Sequence, residues 1–246
     1  MVKNAEEFMY RLMASLYSVN APIVFKGAML LKVIQNKYGN PSGLVRETHD
    51  LDGDWVSGEP DMSYLTGVLQ KATINAGYDV VVKPYRCYSK GKSAGFEFID
   101  VSSNKQIITM DLSIRKNNYS CIYTLIDGVY FYGQTVDKII ADKVYTCSKR
   151  VVMRRVKDVI DLYILSFIWR GKYSYISCLL ESLSREVEDF DRFLHYYKDL
   201  EHAYSKYKNK ASILPFDVVY KRVCIFLKPF YERTKIDLFW DGNKWR

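Results

Sequence analysis

Asp50-Leu51-Asp52 sets two carboxylates two residues apart. In a β-strand the side-chain period is two, so Asp50 and Asp52 project from one face and present hard oxygen ligands to divalent cations. Transfer of a phosphoryl or nucleotidyl group uses such cations to offset developing charge. Asp111 closes the apolar run Ile107-Ile108-Thr109-Met110 on an expected neighbouring strand and offers a third carboxylate; Asp54 lies on the Asp50 face, nearer the strand end. Upstream, Phe25-Lys26-Gly27-Ala28-Met29-Leu30 turns on a glycine into a helical pattern. Gly27 permits close backbone approach, and the N–H groups of the helix that follows would point at a phosphate. Lys26 is either a phosphate contact or a solvated turn residue. Arg46 and Thr48 flank the carboxylates, Thr48 in phase with Asp50 as a contact or as an ordinary β-former. Alone, Asp-x-Asp reads as a solvated strand end and a lone glycine as a tight turn; their order gives them weight.

A second group follows far downstream: Ala141-Asp142-Lys143, then Arg154-Arg155-Val156-Lys157-Asp158-Val159-Ile160-Asp161. Arg154 and Asp158 are four apart, as are Lys157 and Asp161, the spacing of surface salt bridges on a helix. Asp161, however, sits between Val159-Ile160 and Leu162-Tyr163-Ile164-Leu165, where a carboxylate is costly without a cationic partner. A lysine or arginine poised over a triphosphate is one such partner.

The elements that position these residues follow from periodicity. Glu6 to Tyr17 has helical spacing with Met9, Leu12, Met13 and Leu16 on one face, and Asn20-Ala21-Pro22 breaks it. Ile23-Val24-Phe25 reads as a short buried approach to Gly27, Met29 to Tyr38 as a helix, Asp50 to Val56 as a strand and Met62 to Ala76 as a helix. From Tyr78 to Tyr132, β-rich runs alternate with Gly, Ser and Asn clusters and complete a sheet that begins at Asp50. Beyond Gly133 the period is helical to about Lys228. The expected class is α+β, a mixed sheet flanked by helices and followed by a helical C-terminal region, with a catalytic part at 1–134 and a helical part at 135–246.

The 246 residues can bury a sizeable core, and 48% hydrophobic with 26% charged residues is ordinary for a globular protein. A net charge of +8 suits a polyanionic partner such as nucleic acid or nucleotides, and equally a surface kept basic for solubility. Most of the 21 tyrosines are expected in cores and interfaces, some beside cations where bases stack. No run is long and apolar enough to span a membrane, and the first residues lack a signal-peptide layout, so a cytoplasmic address is expected. Five scattered cysteines and three scattered histidines argue against zinc and for free thiols, several of them buried.

The order of motifs resembles the AbiEii/AbiGii-type nucleotidyltransferases, toxins of type IV toxin–antitoxin and abortive-infection systems in the DNA polymerase β-like superfamily. The resemblance rests on Lys26-Gly27-Ala28 with Leu31, Arg46-x-Thr48-x-Asp50-Leu51-Asp52, Asp111, Ala141-Asp142-Lys143 and Arg155-x-Lys157-Asp158-x-x-Asp161-Leu162, spanning roughly positions 23 to 165. It implies a polymerase β-like nucleotidyltransferase fold and transfer of an NMP from an NTP to an acceptor, with tRNA favoured. It implies Mg2+ or Mn2+ at Asp50, Asp52 and Asp111, and a triphosphate admitted by Gly27. Lys26, Ala28, Arg46, Thr48, Arg155, Lys157 and Asp161 would lie at the nucleotide, and Lys143 with Asp158 would complete the catalytic set. A cognate antitoxin protein and toxicity to the host cell follow from the same resemblance. Two departures stand out: Ala28 and Met29, which offer no hydroxyl, where a second glycine and then a hydroxyl residue are usual, and Gly53 where an apolar or aromatic one is usual. Alternatives are transfer to a protein or small molecule, and a degenerate module that binds nucleic acid or a partner without chemistry.

Overall fold

In the computed structural model, which describes residues 4–44, 48–87, 93–125, 128–207 and 214–246, Asn4 caps the first helix by accepting from the backbone of Glu6 and Glu7. Two units are distinguished along the chain, Met1–Val33 with Glu47–Gln134, and Ile34–Arg46 with Thr135–Arg246.

The first unit runs α1 (Ala5–Ser18), β1 (Ile23–Lys26), the start of α2 (Gly27–Lys37), β2 (Asp50–Trp55), α3 (Met62–Asn75), β3 (Val80–Arg86), β4 (Ser93–Asp100), β5 (Lys105–Ile114), β6 (Ser120–Thr124) and β7 (Tyr130–Gln134). Seven strands form one sheet in the order β3-β4-β5-β2-β1-β7-β6. The β2–β5 and β1–β7 pairs are parallel and the others antiparallel, so the sheet is mixed. It starts earlier than periodicity indicated. Ile23-Val24-Phe25 is itself a strand, too short to show alternation and buried on both sides because it lies between β2 and β7.

One sheet face is apolar. Leu51, Gly53, Met110, Leu112, Ala94 and Phe96 line it, and Phe8 of α1 meets Phe98 there with ring centroids 5.8 Å apart. Gly53 answers to packing: a Cβ there would come within 2.9 Å of Ile23 Cγ2 and 3.1 Å of Leu112 Cδ2. The opposite face carries polar rungs: Asp50 beside Thr109, Asp52 beside Asp111, Asp54 beside Ser113, with Lys26 next to Asp52 and Gly95 next to Asp111.

The two sheet edges differ. At β3, Gln70 of α3 donates to Val80 O (2.6 Å) and accepts from Val82 N (2.9 Å), Pro84 has no N–H, and the register slips between Pro84 and Arg86. At β6, four of five residues are exposed.

The second unit contains α4 (Val136–Ser148), a 3-10 turn (Arg150–Arg155), α5 (Val156–Ile168), β8 (Gly171–Lys172), α6 (Tyr173–Ser182), α7 (Asp191–His195), α8 (Tyr197–Ser205), α9 (Phe216–Tyr231) and β9 (Phe239–Trp240), β8 and β9 pairing as a small antiparallel sheet. Residues 158–166 of α5 are buried throughout, so this helix is the core of its unit. Arg222 of α9 binds the tail into it, donating to Ser166 Oγ (2.9 Å), Ser166 O (3.0 Å) and Gly242 O (2.5 Å) while its guanidinium lies 5.1 Å from the Trp240 ring.

All five cysteines are free thiols, but only Cys147 is buried; Cys224 is half-buried and Cys87, Cys121 and Cys178 are exposed. The expectation of several buried thiols fails because the exposed ones sit at the end of β3, on the edge strand β6 and on α6. Among the described residues no helix is long and apolar enough to cross a membrane.

Candidate active site

The polar sheet face brings Asp50, Asp52 and Asp111 together. Asp52 and Asp111 are register partners on adjacent parallel strands, which run about 4.8 Å apart. β1 passes into α2 without an intervening loop, and Gly27 is the pivot at φ +73°. A Cβ at Gly27 would collide with the Asp52 carboxylate, so the glycine serves both the turn and the close approach. Ala28 and Met29 are buried at the start of α2.

Each site carboxylate has its own partner. Asp50 is exposed and accepts from Thr109 Oγ1 at 2.6 Å. Thr48 engages the main chain of Asp50, its Oγ1 accepting from Asp50 N at 3.2 Å. Asp111 Oδ1 accepts from Tyr85 OH at 2.7 Å and from Arg86 Nη2 at 2.6 Å. Both donors come from β3, where Tyr85 and Arg86 together oppose Gly95. Successive strand residues normally point to opposite faces, and the extra residue of this bulge turns both toward Asp111. Gly95 makes room, since a Cβ there would enter the Tyr85 ring. Burial, then the hydrogen bond to Asp111, push the Tyr85 phenol up to about 12, so it stays a donor at neutral pH.

Asp54, on the same face, is fully buried. It accepts from Lys26 Nζ (2.5 Å), Arg115 Nε (2.9 Å), Asn117 Nδ2 (2.8 Å) and Gln134 Nε2 (3.2 Å). Burial alone would raise its carboxyl; Lys26 and Arg115 outweigh that and hold it below the usual carboxylate range. Lys26, which also donates to Ser113 Oγ at 3.0 Å, is thereby committed to the sheet.

Among the described residues no three His, Cys, Asp or Glu side chains are arranged around one metal position. Asp50 and Asp52 have the right donor type for Mg2+, which takes one or two carboxylates and completes its shell with water and substrate phosphates. The residues fit such a site and not a preformed three-carboxylate cage.

The second unit holds the other group. Lys143 of α4 pairs with Asp158 and, at 2.8 Å, with Asp161, both on α5; Arg155 Nε bonds Asp158 Oδ2 at 2.8 Å. The two carboxylates are almost fully buried, and two cations balance them. Burial alone would lower the Lys143 ammonium; Asp161 and Asp158 outweigh it and hold it above the ordinary lysine range. Asp142 pairs outside this cluster, with Lys138 (2.6 Å) and Arg185. Lys157, Arg154 and Arg150 are exposed, and none forms an ion pair with another described residue. Arg46 lies outside the described residues.

Sequence reading passed over Thr109, Tyr85, Arg86, Arg115 and Asn117. Thr109 had a signal, two places before Asp111. The β3 pair had none, since a bulge leaves no periodic trace.

No protein-family model matches the chain, and no curated protein matches it. Among solved structures the chain is similar to MenT4, a nucleotidyltransferase toxin from Mycobacterium tuberculosis, at 10% identity and a TM-score of 0.47, the match covering 93% of this chain and 90% of that one.

Proposed function

We propose that this chain is a metal-dependent nucleotidyltransferase that moves an NMP from an NTP to an acceptor hydroxyl. The observation that carries the reading is the junction of β1 and α2: Gly27 opens a helix directly against Asp52, with Asp50 and Asp111 on the same sheet face. The first N–H groups of α2 suit a phosphate, and the carboxylates beside them suit the cations that accompany it. A divalent cation at Asp50 and Asp52 would supply charge neutralisation at the α-phosphate and the pyrophosphate leaving group. The acceptor oxygen bonds the α-phosphorus as the bond to pyrophosphate breaks, and the hydroxyl proton passes to water. Thr109 holds Asp50 in place. Asp54 and Lys26 brace β1 against β2, keeping Gly27 and Asp52 in contact.

RNA, with tRNA favoured, is the proposed acceptor, on the net charge of +8 and the exposed Arg150, Arg154 and Lys157. A toxin role with an antitoxin partner rests on the motif resemblance. Lys143, Asp158, Asp161 and Arg155 are read as a neutral brace between α4 and α5, on their burial and mutual pairing.

The test is incubation of the purified chain with total RNA and each labelled NTP in turn, with Mg2+ or with chelator. Label entering RNA only with metal, and lost in Asp52→Asn, is the expected result, along with relief of growth arrest by the same substitution. A second reading, a module that binds nucleic acid without chemistry, is favoured by the buried Ala28 and Met29, which offer no hydroxyl to a phosphate. RNA retention with no NTP consumed by the wild type would establish that reading in place of the first.

A further inference from the structure

The bulge in β3 turns two donors toward Asp111. Arg86 is bonded to Ser93 O (3.0 Å, from Nε) and to Ser93 Oγ (2.8 Å, from Nη2), so its guanidinium is aimed and not merely adjacent. Its Nη2 and the Tyr85 hydroxyl both bond the same oxygen of Asp111. Gly95 is the one residue type that lets the Tyr85 ring lie across β4 to reach it. Three positions on two strands are thus given over to one carboxylate on the rung beside Asp52. The Arg86 and Asp111 side chains are 43% and 41% exposed, so the pair is screened by water and exchangeable, unlike the buried pairs at Asp54 and Asp158.

We infer that Arg86 is an internal stand-in for a cation at Asp111. It keeps a second divalent cation off this carboxylate until a polyphosphate draws the guanidinium away. A guanidinium binds carboxylate and phosphate alike, and a polyphosphate offers the donors now on Asp111 and Ser93 more charge than they hold in the free chain. The free chain then offers one cation position, at Asp50 and Asp52, and opens a second only as the triphosphate arrives. Metal loading is tied to nucleotide binding, and an empty site does not collect two divalent ions. This rests on the transferase reading of the same face.

The experiment is Mn2+ titration of the full chain by calorimetry, with bound ion counted by paramagnetic resonance. Wild type is expected to bind one ion. Arg86→Gln is expected to bind a second, or to bind the first about tenfold tighter, because a positive charge has left the site while Asp111 remains. Arg86→Lys keeps the charge and should still exclude the second ion. Arg86→Gln combined with Asp111→Asn should lose the gain. In a second titration without metal, inorganic tripolyphosphate should bind wild type and Arg86→Lys and lose about tenfold on Arg86→Gln, as expected for a removed charge-assisted contact. Thermal melts confirm that each variant is folded, and Tyr85→Phe, which loosens the clamp without removing charge, serves if Arg86→Gln is not. One ion bound equally by wild type and Arg86→Gln overturns this inference alone. No ion bound by either overturns the metal-dependent reading with it. Unchanged tripolyphosphate binding overturns the exchange.

Discussion

The molecule uses aspartate in two opposite ways. On the sheet face of the first unit, Asp50 and Asp111 are open to solvent and each is held by one or two donors from a neighbouring strand. In the second unit, Asp158 and Asp161 are buried and matched by Lys143 and Arg155 until the charge is balanced. Residue type does not separate the groups, and both lie in motifs of the same resemblance. Exposure and completeness of pairing do. A carboxylate open to solvent can trade partners because water replaces a lost contact, whereas one buried between helices cannot lose its counter-ion without a large penalty.

The largest expected effect falls on the open group. Asp52→Asn should reduce transfer a thousandfold or more, about 4 kcal/mol of transition-state stabilisation or above, while the folded chain keeps its stability. Steady-state rates beside denaturant melts check this, and near-normal turnover would break the comparison. Next comes the closed group. Lys143→Met should cost about 3 kcal/mol of stability by stranding two buried carboxylates, and adding Asp158→Asn and Asp161→Asn should recover much of it. A fall in turnover with no shift in melting would move Lys143 from brace to chemistry. Gly27→Ala should be smaller, about 1–2 kcal/mol for a side chain in the left-handed region, but should also slow transfer because the new methyl pushes on Asp52.

Acid titration sharpens the contrast further. The Asp54 carboxyl is held below its unfolded value, so its contribution is complete above about pH 4 and fades as pH falls through the folded value. Lys143 is the mirror case. Held above its unfolded value, it contributes fully below about pH 10 and fades only as pH rises through the folded value. Asp54→Asn should therefore flatten the acid limb of the stability curve and leave the alkaline limb as it was.

Much of this was legible from spacing. Asp50 and Asp52 on one face, the turn at Gly27, the helical second half and the need of Asp161 for a cation all follow from period and burial cost. What was not legible depends on contacts far apart in the chain. Spacing of four pointed to Arg154 for Asp158, but the segment before α5 is a 3-10 turn, and Arg155, three residues away, makes the bond. The partner of Asp161 lies on α4, and no local pattern indicates which lysine of a basic chain it is. Asp54 read only as a further carboxylate nearer the strand end, yet it is a hub, because Lys26, the Arg115–Asn117 stretch and Gln134 reach it from three separate parts of the chain.

The irregularity in β3 has a consequence away from chemistry. A strand at the end of a sheet is a template on which another chain can polymerise, and the template needs an unbroken row of amides and carbonyls. Here Gln70 has taken one of each, Pro84 supplies no amide, and the extra residue at Tyr85 breaks the repeat. The distortion that aims two donors at Asp111 also leaves that side of the molecule a poor seed for fibrils. Among the described residues the opposite margin at β6, with its exposed Cys121 and Ile122, pairs with β7 without a register break. A straightened β3 would expose the protein to self-association at both margins, so solubility and the clamp on Asp111 are subject to the same constraint.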